Sequence, residues 1–418
     1  MVKKCIDLFA GCGGLSLGLE QAGFEPVFAV EQHIDAFTTY QRNLITDITQ
    51  ILLKYKSELT SLKGEIDLIA GGPPCQGFSM NGKRDPFDPR SSMVEAYLDF
   101  VKAVEPKMIL MENVRGFRSM PHPTGGKYPA YVKKKLKSFG YSAFDTILAA
   151  SDWGVPQKRP RYILIAVRDD IFARVNPIET LINGRKSYLT SLGLNLEHTN
   201  VEDALSDLLT SKLGTIADPE YGHRGFLAPK YQTPKRESAY LNIMRKGSTG
   251  APSDMRLARH SLKVTTRMQT ILNTCTLGQS LSLDDRKRLG IKKRSTTPLH
   301  PKKVAPTITT LPDDLIHYCE PRTMTVREHA RIQSFPDWFS FSGRYTTGGA
   351  RRKIDCPRYT QVGNAVPPLL ARGIGAALIE ILSAQDSMKF SNTSKTVEKC
   401  FSMLGEIGNS HENRSITV

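Results

Sequence analysis

Across residues 1 to about 168, short apolar runs alternate with amphipathic stretches, and this alternation restricts the fold more than any other feature of the 418-residue chain. "KCIDLFA", "PVFAVE", "IDLIAGG", "MILMENV" and "RYILIAVR" read as strands, since their apolar residues run on without helical spacing. "GLSLGLEQAG", "IDAFTTYQRN", "MVEAYLDFVKAV" and "YPAYVKKKLKSFG" read as helices between them, several ending at Gly or Pro. Strands that are apolar throughout must be covered on both faces. The expected fold class is α/β: a doubly wound, mostly parallel, Rossmann-like sheet with helices on both sides.

From about 169 to 303 the pattern loosens, Ser, Thr, Gly and Pro become frequent, and Lys and Arg clearly exceed Asp and Glu. "DDRKRLGIKKRS" (284–295) is the densest basic piece. Four segments follow from these shifts: a sheet domain over 1–175, a smaller basic domain over 176–322, C-terminal motifs over 323–385, and a polar tail over 386–418. Within the third, "YTQVGNAVPPLLARGIGAALIEIL" reads as a turn and then a Pro-started helix, apolar enough to pack back on the sheet domain. The tail lacks periodicity and is expected to be frayed or partly disordered.

The formal net charge is +16 and the pI about 9.5, which point to a polyanionic partner, nucleic acid before an acidic membrane surface. Seven scattered cysteines form no C-x-x-C pair, and the nine histidines form no metal-binding array. No metal site is expected, and a reducing cytoplasm is the expected location. No run approaches the roughly 20 apolar residues of a membrane span. Lys3-Lys4 ahead of "CIDLFAG" opens a first strand, not a signal peptide, because Asp7 interrupts the apolar stretch.

"DLFAGCGGLSLGLEQAGF" (7–24) sets a Gly-rich turn between a strand and a helix, where backbone can approach a ligand closely. Glu31 at the next strand end can take both hydroxyls of a ribose. Such turns serve NAD, FAD, nucleotides and S-adenosylmethionine alike. The last is favoured here, because no second glycine fingerprint and no G-x-x-x-x-G-K motif occurs, and an acceptor-like site follows in the same sheet. That site is "GGPPCQGFS" (71–79), where two prolines fix a rigid stem for Cys75 beyond the carboxyl end of a strand. "QGFSMNGKRDPFDPRSS" after it has the composition of a covering loop. Glu112 ends the next strand in "MENV", and Arg159 and Arg161 alternate in "QKRPRYILIA". Taken singly, these are also what a capped carboxylate and a surface strand would show.

Together, the ordered blocks "DLFAGCGG", "PPCQGFS", "ENV", "QKRPR", "REHARIQSFPD" and "QVGNAVPP" resemble the DNA (cytosine-5) methyltransferases over nearly the whole chain. The resemblance implies Cys75 as nucleophile, Glu112 as the acid on the target base, and Arg159 and Arg161 as the arginines that orient that acid and the base's O2 edge. It implies a site for S-adenosylmethionine built from Phe9, Ala10, Gly11, Gly13, Gly14 and Leu15, with Glu31 and Gln32 at the ribose. Asp47 would lie at the adenine and Asn364 and Val366 around the methionine end, with Ile48 and Pro74 completing the set. It makes 176–322 the target-recognition domain, double-stranded DNA the substrate, and the enzyme an expected monomer of the bacterial cytoplasm, held near the nucleoid by its DNA. The compact architecture suits the modification half of a restriction-modification system, with a cognate endonuclease sharing its site.

Rival readings remain at this point. A tRNA-directed relative of the same fold would carry a C-F-T block, which is missing here. A catalytically silent DNA-binding relative would not need Cys75, Glu112 and the full cofactor turn together. A cysteine hydrolase would need a histidine at Cys75, and His33 and His122 are candidates by position alone.

Overall fold

The computed structural model describes residues 2–40, 43–45, 47–74, 92–172, 175–235, 237–347, 351 and 354–386. Cys75 and its covering loop therefore lie outside the described residues, as does all of the C-terminal tail but Asp386. The chain divides into two compact units. Unit 1 comprises Met1–Leu148, Pro160–Arg185 and Leu370–Val418, and unit 2 comprises Ala149–Arg159 and Lys186–Leu369. The 323–385 segment is thus shared between them, divided after Leu369.

Unit 1 is built on a seven-stranded sheet: β1 (Lys3–Leu8), β2 (Phe24–Glu31), β3 (Asn43–Ile45), β4 (Leu68–Gly71), β5 (Met108–Val114), β6 (Tyr141–Ala149) and β7 (Pro160–Arg168). Their order across the sheet is β3-β2-β1-β4-β5-β7-β6. β1 pairs in parallel with β2 and β4, β2 with β3, and β4 with β5, while β7 runs antiparallel to β5. This bears out a doubly wound, mostly parallel sheet. The helices α1 (Gly14–Ala22), α2 (Ile34–Tyr40), α3 (Ile48–Lys54), α4 (Lys56–Ser61), α5 (Ser92–Val104) and α6 (Tyr128–Ser138) alternate with the strands.

All four residues of β4 are buried, as expected of a strand covered on both faces. The core joins Ile6, Leu8, Val30, Ile69, Ile109, Met111, Leu164 and Ala166 of the sheet to Tyr97, Phe100, Val101 and Val104 of α5. Each of the Val, Leu, Ile, Met and Phe side chains among them, taken out of water, contributes roughly 1.5–3 kcal/mol. β1 and β4 approach so closely that a Cβ on Gly71 would lie 2.5 Å from the Leu8 carbonyl oxygen.

α7 (Pro177–Ser191) follows the sheet. Unit 2 then carries α8 (Val201–Leu205), α9 (Thr210–Leu213), a hairpin of β8 (Thr215–Ala217) and β9 (Leu227–Pro229), and α10 (Ala239–Arg245). After these come α11 (Leu262–Thr274), α12 (Leu283–Leu289), α13 (Val326–Ile332) and α14 (Arg358–Asn364). Residues 358–364 are helical, where the sequence suggested a turn; Pro367 and Pro368 break the helix, and α15 (Pro368–Asp386) begins there. The stretch Arg358–Asp386, α14 and α15 together, is long and apolar enough to cross a membrane by length and composition, yet 67% of its most apolar window is buried. Gly375 of α15 lies where a Cβ would be 2.7 Å from the Ala22 side chain of α1, the packing of a core helix.

Candidate active site

The strand ends of unit 1 carry two neighbouring arrangements. In the first, the chain turns sharply after β1, with positive φ at Phe9 (61°), Gly11 (57°) and Gly13 (86°). Gly13 must be glycine twice over, because a Cβ there would also sit 2.3 Å from the Tyr40 ring. The turn closes through Gly13 N–H donating to the Ala10 carbonyl at 2.9 Å, and α1 starts at Gly14. The Glu31 carboxylate accepts from Gly11 N–H at 2.9 Å and from His33 N–H at 2.8 Å. Two backbone donors fix its position, while a carboxylate's further lone pairs can still accept from a diol.

The space in front of Gly11 is open: among the described residues, its own chain neighbours apart, no heavy atom lies within 4 Å of a Cβ placed there. Leu15 and Ile48 are buried, Gln32 is exposed, and Asp47 caps α3 by accepting from Thr49 N–H at 2.8 Å. An open glycine cradle, a fixed carboxylate and a helix N-terminus fit a nucleoside with a charged tail. Beneath the turn, Asp7 is fully buried and accepts from Ser16 Oγ at 2.5 Å. Burial raises its carboxyl from 3.8 to about 7, against the hydrogen bond from Ser16.

The second arrangement lies where β4 leads to the Pro73-Pro74 stem. Glu112 Oε1 pairs with Arg161 Nε at 2.7 Å, with both side chains about nine-tenths buried. Its other oxygen faces the stem: a Cβ on Gly72 would lie 3.1 Å from Glu112 Oε2. Asn113 Nδ2 donates to the Pro73 carbonyl at 3.2 Å, so the residue after the acid holds the stem that leads to Cys75. These ties put Glu112 beside the last described residues before Cys75, of which Pro74 is half-buried. Antiparallel pairing of β5 with β7 sets Val114 opposite Arg161 and delivers the arginine to the carboxylate.

The two arginines part company. Arg159 precedes β7, belongs to unit 2 and is 1% exposed; it donates to the carbonyls of Gly363 at 2.9 Å and Ala365 at 2.8 Å. Gly363 itself lies where a Cβ would be 2.4 Å from the Thr309 carbonyl oxygen. Arg159 thus positions the loop that carries Asn364, exposed, and Val366, half-buried. Gln157 supports the same segment of unit 2: it accepts from Ile308 N–H at 2.9 Å and donates to Gln333, which in turn donates to the Ala365 carbonyl.

Sequence reasoning quoted Asn113, Gly72 and Gln157 within motifs but gave them no role in the site; the signal for Asn113 was its place directly after the acid in "ENV". It missed the seating of Tyr40 on Gly13 and the Asp7–Ser16 bond. His122 stacks on Tyr131 at 4.0 Å and bonds Thr124, while Glu31 accepts from the His33 backbone. Among the described residues no group of three His, Cys, Asp or Glu side chains could hold a metal ion.

A family model described as C-5 cytosine-specific DNA methylase matches residues 3–380. Type II methyltransferase M.DdeI of Desulfomicrobium norvegicum is 33% identical over 388 residues, covering 88% of this chain and 86% of that protein. Type II methyltransferase M.XorII of Xanthomonas oryzae pv. oryzae is 32% identical over 399 residues, covering 90% of this chain and 84% of its own. In fold, the chain is similar to a solved E. coli structure assigned as a prophage-encoded DNA modification methyltransferase, with a TM-score of 0.62 at 24% identity over 91% of this chain and 99% of that one. The six sequence blocks, the sheet order and a family match from the first strand to the last helix make this chain a member of the C-5 cytosine-specific DNA methylases.

Proposed function

We propose that this DNA cytosine-5 methyltransferase works on a cytosine swung out of duplex DNA, with Cys75 as nucleophile and Glu112 as the acid on the ring. The observation that carries this reading is the Glu112 carboxylate, held by Arg161 on one side and set against the stem of Cys75 on the other.

Cytosine C5 is a poor nucleophile until the ring is made into an enamine. Addition of the Cys75 thiolate to C6 does this, provided the charge developing at N3 is stabilised. Glu112 supplies that stabilisation by sharing a proton with N3, and Arg161 fixes the direction from which it does so. S-adenosylmethionine, when bound, supplies an electrophilic methyl group at its sulfonium centre. The family resemblance assigns its holding to Phe9, Ala10, Gly11, Gly13, Gly14, Leu15, Glu31, Gln32, Asp47, Ile48, Pro74, Asn364 and Val366; Arg159 is a positioning residue for the last two. C5 then takes the methyl, a base removes the C5 proton, and departure of the thiolate restores the aromatic ring. A base stacked in a duplex cannot reach such a site, so flipping is required.

Residues 176–322 would read the target, with the polar and basic side chains taking base edges and phosphates. The type II names of the relatives support a modification role; a cognate endonuclease, a cytoplasmic location and a monomeric state belong to the same proposal.

The test is incubation with S-adenosylmethionine and duplex DNA containing 5-fluorocytosine, with a tRNA of the same modification in parallel. A denaturation-resistant protein–DNA adduct is expected, and Cys75→Ser should abolish it. An adduct that survives in that variant, or one that forms on tRNA alone, would sink the assignment.

A further inference from the structure

The hairpin of unit 2 ends in a nine-residue connection, "DPEYGHRGF" (218–226), that is fastened far more tightly than a surface loop requires. Asp218, 5% exposed, accepts from Glu220 N–H at 3.1 Å and Tyr221 N–H at 2.6 Å, and its own N–H donates to the Phe226 carbonyl at 2.9 Å. Glu220 receives both terminal nitrogens of Arg358, at 2.8 and 2.6 Å, and Arg358 also bonds Asp254 at 2.8 Å. Beneath the tip, the guanidinium of Arg256 lies 3.8 Å from the Tyr345 ring centroid, 4.4 Å from Phe226 and 5.1 Å from Tyr221. Arg358 covers Tyr345 at 4.3 Å. Leu257 N–H donates to the Leu227 carbonyl at 2.8 Å and ties the segment after Arg256 to the hairpin.

These contacts sort the arginines. Arg256 and Arg358 serve the framework. Arg224 and Arg259 are exposed; what they touch orients them, and among the described residues neither forms an ion pair with a carboxylate. Arg259 packs on Phe226 at 4.2 Å and donates to the Arg224 carbonyl at 3.3 Å; Arg224 rests over Tyr221 at 5.8 Å. By contrast, Arg288 in the more basic 284–295 stretch is paired with Asp285 at 2.8 Å. A two-stranded ribbon fits the roughly 12 Å major groove of B-DNA, where an arginine can bind guanine O6 and N7 together. A pre-ordered arginine loses less freedom on binding than a mobile one.

We propose that the tip of the β8–β9 hairpin enters the major groove of the target duplex, with Arg224 reading a base edge and Arg259 holding the phosphate backbone. This rests on the reading of the chain as a duplex-DNA methyltransferase.

The experiment is bisulfite sequencing of a random-sequence duplex library methylated by the wild type and by Arg224→Ala, Arg224→Lys and Arg259→Gln, with thermal unfolding recorded for each. Salt titrations of binding to the preferred duplex complete it. Both Arg224 variants should lose about tenfold or more discrimination at one base pair of the site, the lysine variant without loss of charge. Arg259→Gln should keep the sequence preference, while its log–log salt slope shrinks by about one. Folded Arg224 variants with the wild-type preference would overturn the proposal while leaving the methyltransferase reading intact. A wild type that methylates no duplex would overturn both.

Discussion

Unit 1 and unit 2 solve the problem of an interior in opposite ways. The sheet core of unit 1 is apolar, and its charged groups gather at strand ends, where Glu112 meets Arg161. In unit 2, all seven residues of α13 are buried, among them Arg327, Glu328 and Arg331. Arg331 is wrapped by Asp337 at 2.7 and 2.9 Å and by Asp207, while Arg322 pairs with Glu328 at 2.7 and 2.8 Å and with Glu320 at 2.7 Å. An apolar core tolerates loss of a contact gradually; an ionic one does not, because removing one partner leaves the other charge buried alone.

The comparison extends to pH. Asp7 of unit 1 is raised to about 7 by burial, so its folded form holds a proton that the unfolded chain releases near pH 4. Stability therefore falls as pH rises from about 4 to 7 and is constant beyond. Burial pushes Glu328 of unit 2 up as well, but the Arg322 guanidinium outweighs it and holds the carboxyl at about 2. Its contribution is present above pH 4.5 and is lost as pH falls towards 2. His317, fully buried beside Glu328, is held below its ordinary value by burial, so unit 2 also loses stability as acid forces a charge onto it. Two buried carboxyls in one chain thus respond to acid with opposite sign.

The largest effect that would sharpen this contrast is chemical. Glu112→Gln should cut turnover by about 10²–10⁴ while S-adenosylmethionine affinity stays within about twofold, measured by single-turnover methylation and calorimetry. Equal losses in both would return Glu112 to the framework and erase the distinction between a working and a supporting ion pair. Next comes Arg331→Met, which strands Asp207 and Asp337 and should cost about 3–5 kcal/mol in denaturant unfolding. A loss below about 1 kcal/mol would mean the ionic interior of unit 2 relaxes as readily as an apolar one. The smallest is Asp7→Asn. Its stability relative to wild type should improve between pH 4 and 7, by a few kcal/mol at most, when unfolding midpoints are followed across that range. A difference flat with pH would show that Asp7 ionises freely in the fold.

Much of unit 1 was legible because period and polarity are local properties. "MILMENV" announces a buried strand ending in an acid, and that is what β5 is. Sheet order is not local: nothing in the periodicity of "RYILIAVR" says that β7 inserts antiparallel between β5 and β6. Arg159 and Arg161 read as two residues on one side of a strand, but β7 begins at Pro160, so the two-residue period does not reach back to Arg159. The interior of unit 2 was the least legible part. A reading that sorts by hydropathy places Arg327 and Arg331 at the surface, whereas carboxylates far off in sequence, Asp254 and Asp207, help to neutralise them in the interior.

The fastening of the hairpin tip defines what can be exchanged between proteins of this kind. Residues 218–226 transplanted alone would arrive without Arg358, Arg256 and Tyr345, and would leave those three in the donor facing an empty seat. The portable module is therefore discontinuous in sequence: tip, aromatic floor and clamping arginines together. A chimera drawn along contiguous sequence boundaries would carry the letters of the tip and lose its shape.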